Sequence, residues 1–103
     1  MKRYVIGRLK VKPGTRAEFM MHAVQYTRTS RAEDGCIYYD QAYDAENEDA
    51  IVMVECWATP EQHIAHTKAP HFAAFGPTFE KYVLSAHFEE MDVADVHDVV
   101  VGS

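Results

Sequence analysis

The stretch "HIAHTKAPHF", residues 63–72, places three imidazoles, His63, His66 and His71, within nine positions. Histidine changes charge near neutral pH, so such a group can take a proton from a hydroxylated ring, ligate a metal, or stand in a solvated helix. His63 and His66 are spaced i, i+3 and can share one helix face, whereas His71 lies beyond Pro70 and its direction stays open. There is no His-Glu-x-x-His and no Cys-x-x-Cys, so no metal is expected. His66 and His71 are the candidate bases, with His87 as an alternative. Trp57 can stack on a flat ring or pack in a core. Glu55, two residues before it, needs a partner if it is buried, and Arg8 is the expected one. Phe72, Phe75 and Phe79 recur at i, i+3 and i+7, a core stripe that can also wall a pocket. Tyr38 and Tyr39 must point to opposite faces of a strand, so one of them reaches the pocket side. Cys36 and Cys56 lie in apolar runs with no base beside them and are expected as buried free thiols.

These side chains need a scaffold, and the chain punctuates one clearly. "RYVIGRLKV" (3–11) is β-branched and aromatic and ends at Pro13-Gly14, which predicts a strand. Thr15 with Glu18 forms a predicted capping box, followed by a helix to about Arg31 with Ala17, Met20, Met21 and Val24 as its apolar positions. Asp34-Gly35 stops it. "CIYYDQAY" (36–43) and "AIVMVECWA" (50–58) read as a hairpin around the acidic loop "DAENED", which lacks the spacing and glycine of a calcium loop. "TPEQ" is a second capping box with Pro60 at the first helical position. Pro70 starts another helical piece, which Gly76-Pro77 should break or kink. "VLSAHFEEM" (83–91) is the fourth strand. The order strand, helix, strand, strand, helix, strand is the ferredoxin-like split βαβ pattern of an α+β protein, with both helices on one face of a four-stranded antiparallel sheet. Residues 1–91 make this domain; the tail, 92–103, alternates acids and valines and is an extra strand or an arm over a partner.

The chain of 103 residues fits one domain. Its net charge of −6 disfavours nucleic acid and anionic membranes as partners. No apolar run approaches the roughly 20 residues of a membrane helix, and the four uncharged residues before Arg8 are too few for a signal-peptide core. A cytoplasmic protein is expected.

Alternation places Val5, Gly7, Leu9 and Val11, then Val52, Val54 and Cys56, then Leu84, Ala86 and Phe88 on the helix-covered face. The opposite face would carry Tyr4, Ile6 and Arg8, with Ile51, Met53, Glu55 and Trp57, and with Ser85, His87, Glu89 and Met91. Such an apolar face calls for a cover. A homodimer with two sheets facing each other is the expected cover, with a small-molecule pocket between sheet and helices. A dimer core without any ligand is the alternative.

"EDGCIYYD" followed by "VECWATPEQHIAHTKAPHFAAF" resembles the antibiotic biosynthesis monooxygenase (ABM) family of the dimeric α/β-barrel superfamily. The residues that carry it are Glu-Asp-Gly-Cys, then Glu55-x-Trp57, then His66 and, five positions on, His71-Phe72. The resemblance spans about residues 1–91 and implies a monooxygenase without metal, haem or flavin, in which a deprotonated quinol or phenol reacts with dioxygen itself. Under it His66 and His71 would be catalytic, and Trp57, Arg8, Glu55, Phe72, Phe75 and His87 would contact the substrate. Haem degraders and some oxygenases of the family carry an asparagine on the first strand; here the only asparagine is Asn47, in the acidic loop. A non-oxidative isomerase and a non-catalytic small-molecule-binding or stress-response module are the alternatives on the same scaffold.

Overall fold

The computed structural model describes residues 1–102. Its elements are β1 (Lys2–Val11), α1 (Arg16–Arg31), β2 (Cys36–Tyr43), β3 (Ala50–Trp57), α2 (Pro60–Thr67), α3 (Pro70–Tyr82) and β4 (Val83–Val93). The strands form one antiparallel sheet in the order β2-β3-β1-β4. This is the ferredoxin-like α+β arrangement, with the second helical stretch divided into α2 and α3. Residues 94–102 carry neither helix nor strand.

Local chemistry sets most boundaries. Thr59 caps α2 by accepting from Gln62 N at 3.2 Å, and its hydroxyl also meets Gln62 Oε1 at 3.1 Å, while Pro60 occupies the first turn. The first box does not form: Thr15 Oγ1 donates back to Lys12 O at 2.7 Å, so α1 starts without a side-chain cap. Gly35 ends the turn after α1 at φ +83°, a region that side-chain-bearing residues avoid, and an added Cβ would run into the Gln62 side chain. Contrary to the break expected at Gly76-Pro77, α3 runs through Pro77 to Tyr82. Gly76 and Pro77 are exposed, so the carbonyl that loses its N–H partner can turn to solvent.

Two faces differ from expectation. Cross-strand partners share a face of the sheet, and the register pairs Val5 with Glu55, Gly7 with Met53 and Leu9 with Ile51. Ile51, Met53, Glu55 and Trp57 therefore lie under the helices and are buried. Val52, Val54 and Cys56 join Tyr4, Ile6 and Arg8 on the open face. Both sides of β3 are apolar, so alternation alone could not choose between them; the β1–β3 register decides. On α1 the buried side chains are Phe19, Ala23, Thr27 and Ser30, whereas Met21 is 77% and Val24 39% exposed. Hydroxyls hide well on that inner face: Ser30 Oγ donates to Tyr26 O at 2.9 Å, and Thr27 Oγ1 accepts from Gln41 Nε2 at 3.1 Å. The core gathers Val11, Phe19, Ile51 and Trp57, with Phe19 edge-on to Phe75 and Tyr82 at 5.9 Å.

Candidate functional site

The helices do not close over the whole sheet. Between them and the strands lies a cavity of 430 Å³. Its walls are mostly apolar, from Val5, Leu9, Met53 and Phe88 of the sheet below, Phe19 of α1, and Phe72, Phe75 and Phe79 of α3. A few polar groups converge on it: Tyr26, Tyr39, Gln41, Glu55, His63, His66, Thr67 and Glu90. Tyr39 is the tyrosine of its pair that turns inward, and it is buried; burial and the charge of Glu55 push its phenol well up.

His66 is the most connected of these groups. It projects inward from α2, only 2% exposed. Its Nδ1 lies 2.5 Å from Glu33 Oε2, and its Nε2 lies 3.0 Å from Tyr26 Oη. A carboxylate only accepts, so Nδ1 carries the proton and Nε2 accepts from the tyrosine hydroxyl. The Glu33–His66–Tyr26 chain thus points an unprotonated imidazole nitrogen at a phenol. Burial holds the His66 pKa below its ordinary value, against the opposing pull of Glu33. Burial also pushes the Tyr26 hydroxyl up to about 12. Phe75 stacks on Tyr26 at 4.5 Å, and Phe72 meets His66 edge-on at 5.4 Å, fixing both rings.

A second set stands beside the first. Glu55 is buried, and its Oε1 accepts from Trp57 Nε1 at 2.9 Å. Burial raises its pKa to about 7; the indole N–H opposes this, while Glu90 and Glu33 add to it. His63 Nδ1 lies 3.3 Å from the Arg3 guanidinium, which can only donate. The proton of His63 is therefore on Nε2, 4.0 Å from Glu55 Oε1. Burial lowers the His63 pKa, against the pull of Glu90 and with the charge of Arg3 acting the same way as burial.

The remaining expected site residues fall elsewhere. Trp57 is wholly buried behind the wall, its ring 4.9 Å from that of His66, and its indole orients Glu55. His71 also stands outside the lining, with Nε2 3.1 Å from Ser30 Oγ and 3.8 Å from Glu33 Oε2. Arg8 does not reach Glu55, because β1 alternation sends it to the open face, where it meets Glu89 at 3.5 Å. His87 pairs opposite Arg8 on that same face and is exposed, away from the cavity. Sequence reasoning did not single out Tyr26, Glu33 or Arg3, and it left His63 out of the candidate bases. Glu33 sits in the Glu-Asp-Gly-Cys segment just beyond α1, and Tyr26 lies one turn before Ser30 on the inner side of α1, so the correct helix face would have found Tyr26.

Glu33, His66 and His71 are also the group best placed to hold a metal, with ligand atoms within 4.8 Å of one another. The 2.5 Å separation of His66 from Glu33 is a hydrogen-bond distance. It is shorter than two ligands at about 2.1 Å from one tetrahedral ion would keep. Among the described residues no helix is long and apolar enough to cross a membrane.

The sheet order and helix placement define a ferredoxin-like α+β protein with a largely apolar, histidine-bearing cavity under its helices. Residues 3–78 match the model of the antibiotic biosynthesis monooxygenase family, and the chain belongs to that family. It is 36% identical over 67 residues to the Bacillus subtilis (strain 168) protein named "Putative monooxygenase YcnE", covering 65% of this chain and 70% of that one. It is 31% identical over 71 residues to protein sll1783 of Synechocystis, covering 69% of this chain but only 48%, about half, of that relative. Its backbone superposes with a TM-score of 0.87 on a Deinococcus radiodurans structure described as a "putative antibiotic biosynthesis monooxygenase". That match covers 95% of this chain and 98% of the other at 16% identity, a likeness of fold.

Proposed function

We propose that the chain is a cofactor-independent monooxygenase acting on a small quinol or phenol. The observation that carries this reading is the Glu33–His66–Tyr26 chain at the wall of an apolar cavity. A flat ring fits among Phe72, Phe75, Phe79 and Phe88. Its hydroxyl displaces or joins that of Tyr26 and gives its proton to His66 Nε2, and Glu33 steadies the imidazolium that results. The phenolate so formed is electron-rich enough to reduce dioxygen directly. One oxygen atom enters the ring and the other leaves as water, so a hydroquinone ends as a hydroxyquinone and supplies all the electrons itself. His71, bonded to Ser30 beside Glu33, holds the carboxylate side of the chain.

The test is oxygen uptake by purified protein given hydroquinones in air with no added cofactor. Consumption above the autoxidation rate is expected, and His66→Ala should lower it by about 10²–10⁴-fold. Uptake equal to autoxidation removes the monooxygenase reading, and a His66→Ala protein of full activity removes the base.

We infer that a second copy of the chain covers the open sheet face. Tyr4, Ile6, Val52, Val54 and Met91 lie on that face, and no helix packs over it. Sedimentation should give a dimer, and Val54→Lys, which puts a charge in the middle of that face, should give a protomer. A wild-type protomer at micromolar concentration would overturn the pairing.

A further inference from the structure

The cavity contains a second proton acceptor that the chemistry above does not use. Glu55 Oε1 is occupied by the Trp57 indole. Among the described residues no group bonds Oε2, yet no buried side-chain oxygen lacks a partner. Oε2 therefore faces open space, and Glu55 lines the cavity. The groups around it are acidic or neutral. Tyr39 flanks it from β2, and Tyr26 and Glu33 stand on the α1 side. His63 approaches from α2, and Glu90 lines the same cavity from β4. From α3 come Phe72, Phe75, Gly76 and Phe79, none of them titratable. Arg3 on β1, which reaches His63 with one donor, is already held by Asp92 at 2.8 Å and Glu90 at 3.7 Å. No lysine or arginine lines the cavity.

We propose that Glu55 is the ligand-selecting group of this cavity: its free oxygen accepts a hydroxyl hydrogen, so the cavity takes uncharged, hydroxyl-bearing rings and rejects carboxylated or phosphorylated ones. The proposal rests on the reading of the cavity as a quinol or phenol site and names what that site recognises. An entering anion would lose its hydration and meet Glu55 and Glu90 with no free cation to pair with. A neutral hydroxyl donates to Oε2 instead, and the bond is charge-assisted when the carboxylate is ionised. If the proton crosses, the ring O–H breaks and a carboxyl O–H forms, with no further reagent. A dihydroxy ring meets two distinct acceptors, Glu55 and the Tyr26–His66 pair. Because burial raises Glu55 to about 7, the acceptor gains its charge across neutral pH.

Calorimetric titration of the full chain with 1-naphthol, 1-naphthoate and 1-naphthyl phosphate separates the cases, since the three share one ring system. Naphthol should bind at least about tenfold tighter than either anion, and its affinity should rise as pH passes through about 7. Burial lowers His63 and His66 from their ordinary value, away from that step. Glu55→Gln keeps the shape and should flatten the pH profile, weaken naphthol about tenfold and strengthen naphthoate. Equal affinity for naphthol and the anions, or a flat wild-type pH profile, overturns the role of Glu55 even if the variant does not fold. If naphthol fails to bind, the quinol reading of the cavity falls and takes this proposal with it. Naphthol bound without preference sinks the proposal alone.

Discussion

Two carboxylate–histidine pairs border one cavity and are wired in opposite ways. In Glu33–His66 both imidazole nitrogens are engaged, one by the carboxylate and one by a phenol, so the histidine is the reactive member and the acid serves it. In Glu55–His63 the histidine is turned away toward Arg3, 4.0 Å separates the two groups, and the acid keeps an oxygen free. Residue type does not set the role; the partner of each remaining lone pair does. Burial then acts on acid and histidine with opposite sign, favouring the neutral form of each: it raises Glu55 and lowers the histidines of both pairs.

That opposition has its largest expected consequence in stability. Glu55 ionises near 4.5 in an unfolded chain and at about 7 in the fold. Between those values the folded state holds the extra proton, so this group's contribution is fully present below 4.5 and is lost as pH rises through about 7. The loss is on the order of 3 kcal/mol by the usual 1.36 kcal/mol per unit. The lowered histidines run the other way, their contribution present above 6.5 and lost as pH falls. Denaturant unfolding of the wild type and Glu55→Gln from pH 4 to 8 should therefore diverge, the variant gaining on the wild type as pH rises. Parallel curves would mean that Glu55 is not buried as a neutral acid.

Glu33→Gln tests the other pair. It keeps a side chain of the same size but removes the charge that steadies an imidazolium, so turnover of any accepted quinol should fall about 10–100-fold with little change in KM. Glu33 supports the charged form of His66, so its removal should also move the acidic limb of the pH–rate profile to lower pH. A merely structural role would leave that limb where it was.

The limits of the sequence reading follow from the same wiring. Element order and almost every boundary were legible, because Pro13-Gly14, Gly35, Pro60 and Pro70 mark ends by backbone chemistry that acts locally. The faces were legible over residues 7–11 of β1 and 85–89 of β4, where polar and apolar residues alternate; Leu84, expected under the helices, is instead 57% exposed beside the bulge in the β1–β4 register. β3 was not legible, because Val52, Val54 and Cys56 are as apolar as Ile51, Met53 and Trp57, and Glu55 looked misplaced in a core. A buried acid that takes an indole N–H two residues along its own strand leaves no periodic trace. α1 misled for the converse reason: its inner face uses Thr27 and Ser30, whose hydroxyls are satisfied locally, and leaves Met21 exposed. His66 was singled out from its type and the family resemblance, and the structure sets it on the cavity wall. Its partners Glu33 and Tyr26 come from 33 and 40 residues away and become visible only once α1 is docked.

The smallest effect concerns the floor beneath Glu55. Gly7 lies two residues from Val5, the cross-strand partner of Glu55, and faces Phe88 from the neighbouring strand. A Cβ added there would stand 2.8 Å from Phe88 Cε1 and 3.1 Å from Met53 Cε, both at the movable ends of side chains. Phe88 is 47% exposed, on an edge strand with room to swing, so Gly7→Ala should cost under about 1 kcal/mol. The swing takes volume from the cavity without touching either carboxylate. Naphthol affinity should therefore drop a few-fold, while the pH dependence assigned to Glu55 and the acidic limb assigned to His66 both stay in place. If Gly7→Ala shifted either pH profile, the two pairs would be coupled through the cavity floor, and the division of labour between them would not hold.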